Sequence, residues 1–146
     1  MREIKYIVCH TTATDQDATV EGIKRFWRNN LGWKNPGYHF LIEADGKIHN
    51  LHPIEGIANG VRGHNSHSIH ISYIGGKYKD DRTEAQKEAI TAVVRTMKAM
   101  YPEAEILGHR DLSPDEDGDG IIQPDEWTKT CPRFDAGEEF AFLNKA

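Results

Sequence analysis

Residues 4–10 read Ile-Lys-Tyr-Ile-Val-Cys-His, and the interpretation of the fold starts from this short apolar stretch. Its β-branched residues predict a buried strand. Because side chains alternate between the two faces of a strand, Cys9 and His10 point in opposite directions. We interpret Cys9 as a small apolar residue of the core and expect His10 to face a cleft. Taken alone, His10 is more typical of a hydrogen-bonded histidine at a strand end.

The rest of the chain alternates predicted strands and helices around this first strand. Strands are predicted at 38–43, 47–51, 68–74 and 105–108, and helices at 17–31, 84–101 and 136–143. The turn signal Asp45-Gly46 joins the second and third strands, and Thr83-Glu84-Ala85-Gln86 matches a capping box. The two longer helices carry apolar stripes, namely Val20, Ile23, Phe26, Trp27 and Leu31 in one and Ile90, Val93, Val94, Met97 and Met100 in the other. This order predicts a single α/β (α+β) domain over 1–146, with a central mixed sheet of about five strands flanked by helices.

The composition is that of a globular protein and excludes several classes. The 146 residues are 38% hydrophobic and 28% charged, with a net charge of -5, so no basic surface for nucleic acid is expected. No apolar run approaches the roughly 20 residues that a membrane span needs. The N-terminal stretch is typical of a strand and not of a signal peptide. We therefore expect synthesis in the cytoplasm, where thiols stay reduced, and a domain that works as a monomer.

Three residues far apart in sequence form a candidate zinc site. His10 ends the first predicted strand, and His109 follows the last one. Cys131 lies in the polar loop 128–132, where a free cysteine is unusual. Two histidines and one cysteine leave the fourth position of a tetrahedral zinc open, as in catalytic sites, and this points to a hydrolase. The simpler interpretations are a loop histidine bonded to Asp111 and a reactive thiol at position 131.

The segment 115–126 is acidic and has the spacing of a calcium-binding loop. It reads Asp-Glu-Asp-Gly-Asp-Gly-Ile-Ile-Gln-Pro-Asp-Glu. The oxygen ligands of such a loop would come from Asp115, Asp117, Asp119, Ile121 and Glu126. Carboxylates packed this densely repel one another without a cation, although a solvated acidic loop is the simpler interpretation. Because Pro114 and Pro124 disfavour an entering helix, we interpret the segment as a surface loop stapled by Ca²⁺ and not as a calcium sensor.

Six other histidines lie at predicted strand positions and in polar loops: His39, His49, His52, His64, His67 and His70. We do not assign any of them as a metal ligand. His64 and His67 lie in a loop bearing glycine and asparagine, which is expected to line a cleft.

Several short motifs, taken together and in this order, resemble the type 2 N-acetylmuramoyl-L-alanine amidases, the family of the T7-type lysozyme and the peptidoglycan recognition proteins. The motifs are Val8-Cys9-His10-Thr11-Thr12-Ala13-Thr14, Gly32-Trp33, Gly37-Tyr38-His39-Phe40, Asp45-Gly46, His64-Asn65 with Ser68-Ile69, Gly108-His109-Arg110-Asp111 and Lys129-Thr130-Cys131-Pro132. The resemblance extends over nearly the whole chain, from Ile4 to Phe142.

The resemblance implies hydrolysis of the amide between N-acetylmuramic acid and L-alanine, by a lytic amidase of the phage endolysin type. The zinc ligands that it implies are His10, His109 and Cys131. It also implies Tyr38 and Lys129 near the metal, where Lys129 would stabilise the developing oxyanion and Tyr38 would hydrogen-bond the water or the tetrahedral intermediate. Peptidoglycan or muropeptides are the expected partners, with His64 and Asn65 as candidate substrate-binding residues. The chain would act on the cell wall after release, or on cytosolic muropeptides.

The acidic segment 115–126 is an insertion relative to the shortest members of the family, and the chain departs from the family pattern at two further places. Arg28 follows Trp27, where relatives often have a histidine. His70 and Ser72 occupy positions where relatives commonly have a glycine and then an acidic residue. An alternative function is a recognition module that binds peptidoglycan without cutting it, although such members typically lack the cysteine found here at Cys131. A cysteine hydrolase and a calcium-binding interaction protein are two further alternatives.

Overall fold

The computed structural model describes residues 2–112 and 131–144, and its centre is a five-stranded sheet. The strands are β1 (Tyr6–Thr11), β2 (Phe40–Ile42), β3 (Ile48–Asn50), β4 (Ser68–Tyr73) and β5 (Glu105–Gly108). Their order across the sheet is β3-β2-β4-β1-β5. β1 is parallel to β4 and β5, β2 is parallel to β4, and β3 is antiparallel to β2. The prediction of a mixed sheet of about five strands is therefore confirmed.

The helices pack around this sheet. They are α1 (Val20–Arg25), α2 (Glu84–Met100), α3 (Ala136–Glu139) and α4 (Ala141–Asn144). α1 continues into a π-helical turn, Phe26–Asn30, and the helix predicted at 136–143 is divided into α3 and α4. None of the helices in the described part of the chain is long and apolar enough to cross a membrane.

One face of β1 packs into the hydrophobic core and the other lines a cleft, as the alternation of its side chains predicts. Cys9 is buried in the hydrophobic cluster that α2 forms on the sheet, together with Ile90 and Val94. His10 is equally buried, at 2% exposed, but it lines the cleft on the other face. The interpretation of Cys9 as an apolar core residue is confirmed, and burial raises the pKa of its thiol well above the ordinary value.

Three residues of the predicted apolar stripes are exposed, so the prediction that they face the core is wrong. Phe26 is 50% exposed and Leu31 is 44% exposed. The amide of Leu31 donates to the carbonyl of Phe26, an i→i+5 bond of 3.3 Å. This π-turn adds a residue to the turn and rotates both side chains away from the buried face of Trp27. Met100 is exposed because it is the last residue of α2.

The start of α2 is tied to the sheet by a buried glutamine. The predicted capping box is present, because the side chain of Thr83 accepts from the amide of Gln86 and the side chain of Gln86 accepts from the amide of Thr83, each at 3.0 Å. The Gln86 amide also donates to the carbonyls of Ile42 and Ile74, at 3.3 and 2.9 Å. These carbonyls lie at the ends of β2 and β4, so this one side chain orients α2 against both strands.

Candidate metal centre and cleft

His10, His109 and Cys131 converge at one edge of the sheet. β1 and β5 are neighbouring parallel strands, and the carboxyl ends of parallel strands lie at the same edge. His10 lies near the end of β1, and His109 immediately follows β5. One ligand atom from each of the two histidines and from Cys131 lies within 4.8 Å of the others. The structure therefore brings together the three residues that the sequence analysis singles out.

The donor set and its spacing fit a tetrahedral zinc ion. Zinc bonds of about 2.0 Å to nitrogen and 2.3 Å to sulfur place the two donor atoms about 3.5 Å apart. The Nδ1 atom of His10 lies 3.7 Å from the Sγ atom of Cys131. The backbone amide of Thr11 donates to the same sulfur at 3.1 Å, and such a bond stabilises negative charge on sulfur.

The segment that carries Cys131 is bound to the sheet from several sides. The amide of Arg110 donates to the carbonyl of Cys131 at 2.9 Å, and the hydroxyl of Tyr73 donates to the carbonyl of Pro132 at 2.9 Å. A side chain at Gly108 would collide with the Pro132 ring, because a β-carbon there would lie 2.6 Å from its Cδ. These contacts place the cysteine sulfur opposite the end of β1.

An ion cluster centred on the buried guanidinium of Arg82 lies behind this segment. The guanidinium of Arg82 donates to Asp80 and to Glu139 at 2.9–3.0 Å. Its central carbon lies 3.5 Å from the centre of the Phe134 ring. Burial alone would raise the pKa of Asp80, but the hydrogen bonds and charge of Arg82 outweigh it and lower this pKa. Phe134 is three residues from Cys131, so the cluster also anchors the segment that carries this cysteine.

Tyr38 forms part of the wall beside His10. The centres of the two rings are 5.1 Å apart, and the Tyr38 hydroxyl donates to the carbonyl of Thr11 at 3.3 Å. The edge of the Trp27 ring supports Tyr38, with 5.4 Å between centres. Burial, and then the nearby Cys131, raise the pKa of Tyr38. The phenol therefore keeps its proton at neutral pH.

His70 is a residue of the site that the sequence interpretation missed. Its Nδ1 atom lies 2.8 Å from Nε2 of His10, and its Nε2 atom lies 2.9 Å from Oδ1 of Asn65. Burial is the largest of the effects that lower the pKa of His70 well below the ordinary value, so the ring is neutral. A signal was present in the sequence, because Ser68, His70 and Ser72 place polar side chains at every second position of a buried strand.

His39 supports this arrangement from behind. Its Nδ1 atom accepts from the backbone amide of His70 at 3.0 Å, and its ring lies parallel to the His70 ring, with 5.8 Å between centres. Burial lowers the pKa of His39 to about 4. Both histidines are therefore neutral members of the core, and neither is placed as a direct ligand.

The candidate metal centre opens into a two-part cleft. The first part, of about 380 Å³, contains the three metal-ligand candidates and is walled by Trp27, Trp33 and Tyr38. The second part adjoins it at Trp33 and His109, has a volume of about 690 Å³ and is lined by Arg62, His64 and Asn65. His64 and Asn65, the candidate substrate-binding residues, thus line the cleft, whereas His67 of the same loop is not one of the residues that line either part. Lys129 and the segment 115–126 lie outside the described residues.

Comparisons with known proteins agree with this geometry. The N-acetylmuramoyl-L-alanine amidase family (Amidase_2) matches residues 1–134. A Haemophilus influenzae protein of uncharacterised function is 42% identical over 96 residues, which are 62% of this chain and 83% of that protein. The endolysin of Enterobacteria phage K11 is 29% identical over 135 residues, or 89% of this chain and 80% of the endolysin. An endolysin amidase of Clostridium intestinale has a TM-score of 0.77 at 25% identity, over 98% of this chain and 85% of the other.

Proposed function

The chain belongs to the N-acetylmuramoyl-L-alanine amidase family, and we propose that it hydrolyses the bond between N-acetylmuramic acid and L-alanine with a zinc ion held by His10, His109 and Cys131. The family and the endolysin relatives support a peptidoglycan amidase. The observation that carries the zinc proposal is the convergence of these three donors within 4.8 Å on the floor of a cleft. A zinc ion at this position supplies a Lewis acid and lowers the pKa of water towards about 7.

The residues around the donors have separate roles in this proposal. The Thr11 amide and the anchored 131–134 segment hold the cysteine sulfur in place. Tyr38 keeps its proton, and its hydroxyl, which donates to the carbonyl of Thr11 in the absence of substrate, would turn to donate to a substrate oxygen in the cleft. Lys129 would provide a cation that stabilises the developing oxyanion, as the family resemblance implies.

The two-part cleft supports an extended substrate. The scissile amide would lie in the part that contains the metal-ligand candidates. The adjoining part, with Arg62, His64 and Asn65, would hold the neighbouring portion of a muropeptide. The Asn65 carbonyl oxygen already accepts from the Val61 amide at 2.7 Å, so its contribution to substrate binding would come from its amide nitrogen.

The biological setting is also part of the proposal. We propose an amidase of the endolysin type that acts on the cell wall after release, as a single zinc domain and as a monomer. A Ca²⁺ ion bound by the segment 115–126 remains a prediction from sequence. The same holds for the interpretation of that segment as an insertion in the amidase domain.

The decisive experiment is mass spectrometry of purified peptidoglycan digested by the zinc-loaded protein. We expect free stem peptides that begin at L-alanine, their loss after chelation and their return when zinc is added. Cys131→Ser should remove both bound zinc and product, because it replaces the sulfur ligand.

The matched control is Cys9→Ala, which changes the other cysteine, on the face of β1 opposite to His10. This variant should keep zinc and product, within the modest loss of stability expected for a small core change. Intact peptidoglycan after digestion by the loaded wild type would refute the amidase proposal. If the protein then still binds muropeptides, the recognition-module alternative takes its place. Turnover that survives complete chelation would instead favour a cysteine hydrolase.

A further inference from the structure

A chain of side-chain contacts runs from the candidate metal centre into the protein. It begins at Nε2 of His10, which lies 2.8 Å from Nδ1 of His70. It continues from Nε2 of His70 to Oδ1 of Asn65, at 2.9 Å. It ends at the backbone amide of Val61, which donates to the same Asn65 oxygen at 2.7 Å. His10 and His70 are both at most 2% exposed, so water does not compete for their contact.

The final contact determines the direction of every hydrogen bond before it. A backbone amide can only donate, so the Asn65 atom that faces Val61 is the carbonyl oxygen and not the amide nitrogen. An oxygen can only accept from His70, so Nε2 of His70 carries the proton. A neutral imidazole has one protonated nitrogen, which leaves Nδ1 of His70 as an acceptor. Nε2 of His10 must then donate, and Nδ1 of His10 keeps its lone pair.

We propose that His70 is a positioning residue that holds His10 in the Nε2–H tautomer, so that the Nδ1 lone pair faces Cys131 and the metal position. This inference rests on the proposed zinc function and adds a residue to it. Nδ1 of His10 is the atom that lies 3.7 Å from the cysteine sulfur. In the other tautomer a proton would occupy this position, and the ring could not act as a ligand without losing its contact with His70.

Two further contacts fix the position of the His70 ring. Gly60 lies against it, and a β-carbon at position 60 would overlap the imidazole. His39 accepts from the backbone amide of His70 and lies parallel to its ring. The ring is therefore held on both sides.

The test compares three variants and requires no substrate. His70→Leu removes the acceptor for His10 and roughly preserves the volume of the side chain. His70→Asn retains an oxygen acceptor near the position of Nδ1. His49→Leu is the control, because His49 contacts Glu43 at 3.2 Å and does not take part in the chain of contacts. Zinc affinity is measured by competition with a chromophoric chelator, and folding by circular dichroism.

We expect His70→Leu to weaken zinc binding by about 10–100-fold, the usual effect of losing a partner behind a metal-ligating histidine. His70→Asn should restore most of the affinity, and His49→Leu should bind as the wild type does. Equal affinity of His70→Leu and wild type would overturn the proposal. Equal weakening by Leu and Asn would also overturn it, since the effect would then come from packing and not from the acceptor.

A second measurement uses the zinc-free wild type and remains valid if a variant fails to fold. Long-range ¹⁵N–¹H correlation spectra of the histidine side chains distinguish the two neutral tautomers. We expect a proton on Nε2 of both His10 and His70. A proton on Nδ1 of His10 would overturn the proposal whether or not the protein cleaves peptidoglycan, so its failure is distinguishable from failure of the amidase function.

Discussion

Replacing Arg82 by methionine should destabilise the protein and loosen the segment that carries Cys131. Arg82 is 9% exposed and donates four hydrogen bonds to Asp80 and Glu139. Methionine keeps the apolar stem of the side chain but removes the charge and all four donors. The two carboxylates would then face each other across the position that the guanidinium occupied, which lies against the Phe134 ring.

The expected loss of stability in Arg82→Met depends on how far Asp80 and Glu139 are exposed to water. Removing one member of a fully buried ion pair costs about 3–5 kcal/mol, whereas an exposed pair contributes about 0–1 kcal/mol. The side chains of Asp80 and Glu139 are 30% and 36% exposed, so water partly compensates each of them. The loss of the contact with Phe134 adds to the cost. We therefore expect the free energy of unfolding to fall by about 3 kcal/mol at neutral pH.

The loss of stability in Arg82→Met should also depend on pH, and it should be smaller in acid than at neutral pH. The pKa of Asp80 is lower in the folded protein than its ordinary value of 3.8. The stabilisation from this group is then fully present above pH 3.8 and is lost as the pH falls through the lower folded value. The difference in stability between wild type and Arg82→Met should therefore shrink below pH 3.8.

Urea unfolding of the zinc-free proteins, followed by tryptophan fluorescence, measures this difference. With a slope of roughly 2 kcal/mol per molar urea, the midpoint should fall by about 1.5 M. The control is Lys87→Met, which removes an exposed pair with Glu84 at 3.5 Å and should change stability by less than about 0.5 kcal/mol. If Arg82→Met lowers the free energy of unfolding by less than about 1 kcal/mol, or by the same amount at pH 7 and pH 3, the Arg82 ion cluster does not stabilise the protein as argued.

Three further predictions concern the site and its framework. Tyr38→Phe should keep zinc affinity but lower kcat by about 100-fold in peptide release, because it removes the hydroxyl and keeps the ring against His10. Thr83→Ala should lower the free energy of unfolding in urea by about 1 kcal/mol, because it removes the side-chain cap of α2. Iodoacetamide at about pH 8 should modify Cys131 and spare Cys9, whose pKa burial raises, and zinc should protect Cys131 in mass spectra.

Each of these predictions has a clear contrary result. Unchanged kcat in Tyr38→Phe would remove the hydroxyl from the mechanism. An unchanged urea midpoint in Thr83→Ala would mean that the buried Gln86 orients the helix without the cap. Modification of Cys9 in the folded protein would contradict its burial, and equal labelling of Cys131 with and without zinc would contradict its role as a ligand.

Much of the fold could be predicted because its signals are local. The apolar run at residues 4–10 indicates a strand, Asp45-Gly46 indicates a hairpin turn, and Thr83 with Gln86 indicates a helix start. Each depends on residues within one turn or one strand. The exposure of Phe26 and Leu31 was not predictable in this way, because a regular helical period places them on the buried face and only the π-turn removes them.

The candidate site also combines features that local sequence indicates with features that depend on tertiary structure. His10, His109 and Cys131 could be singled out from the sequence, because histidine and cysteine are the residue types that bind zinc. Two contacts could be seen only in the folded protein. His70 lies against His10, from which it is separated by 60 residues, and Arg82 donates to Glu139, from which it is separated by 57 residues. The physical reason is strand order and register. A contact between distant residues depends on which strands become neighbours and how they are aligned, and no local pattern specifies that alignment.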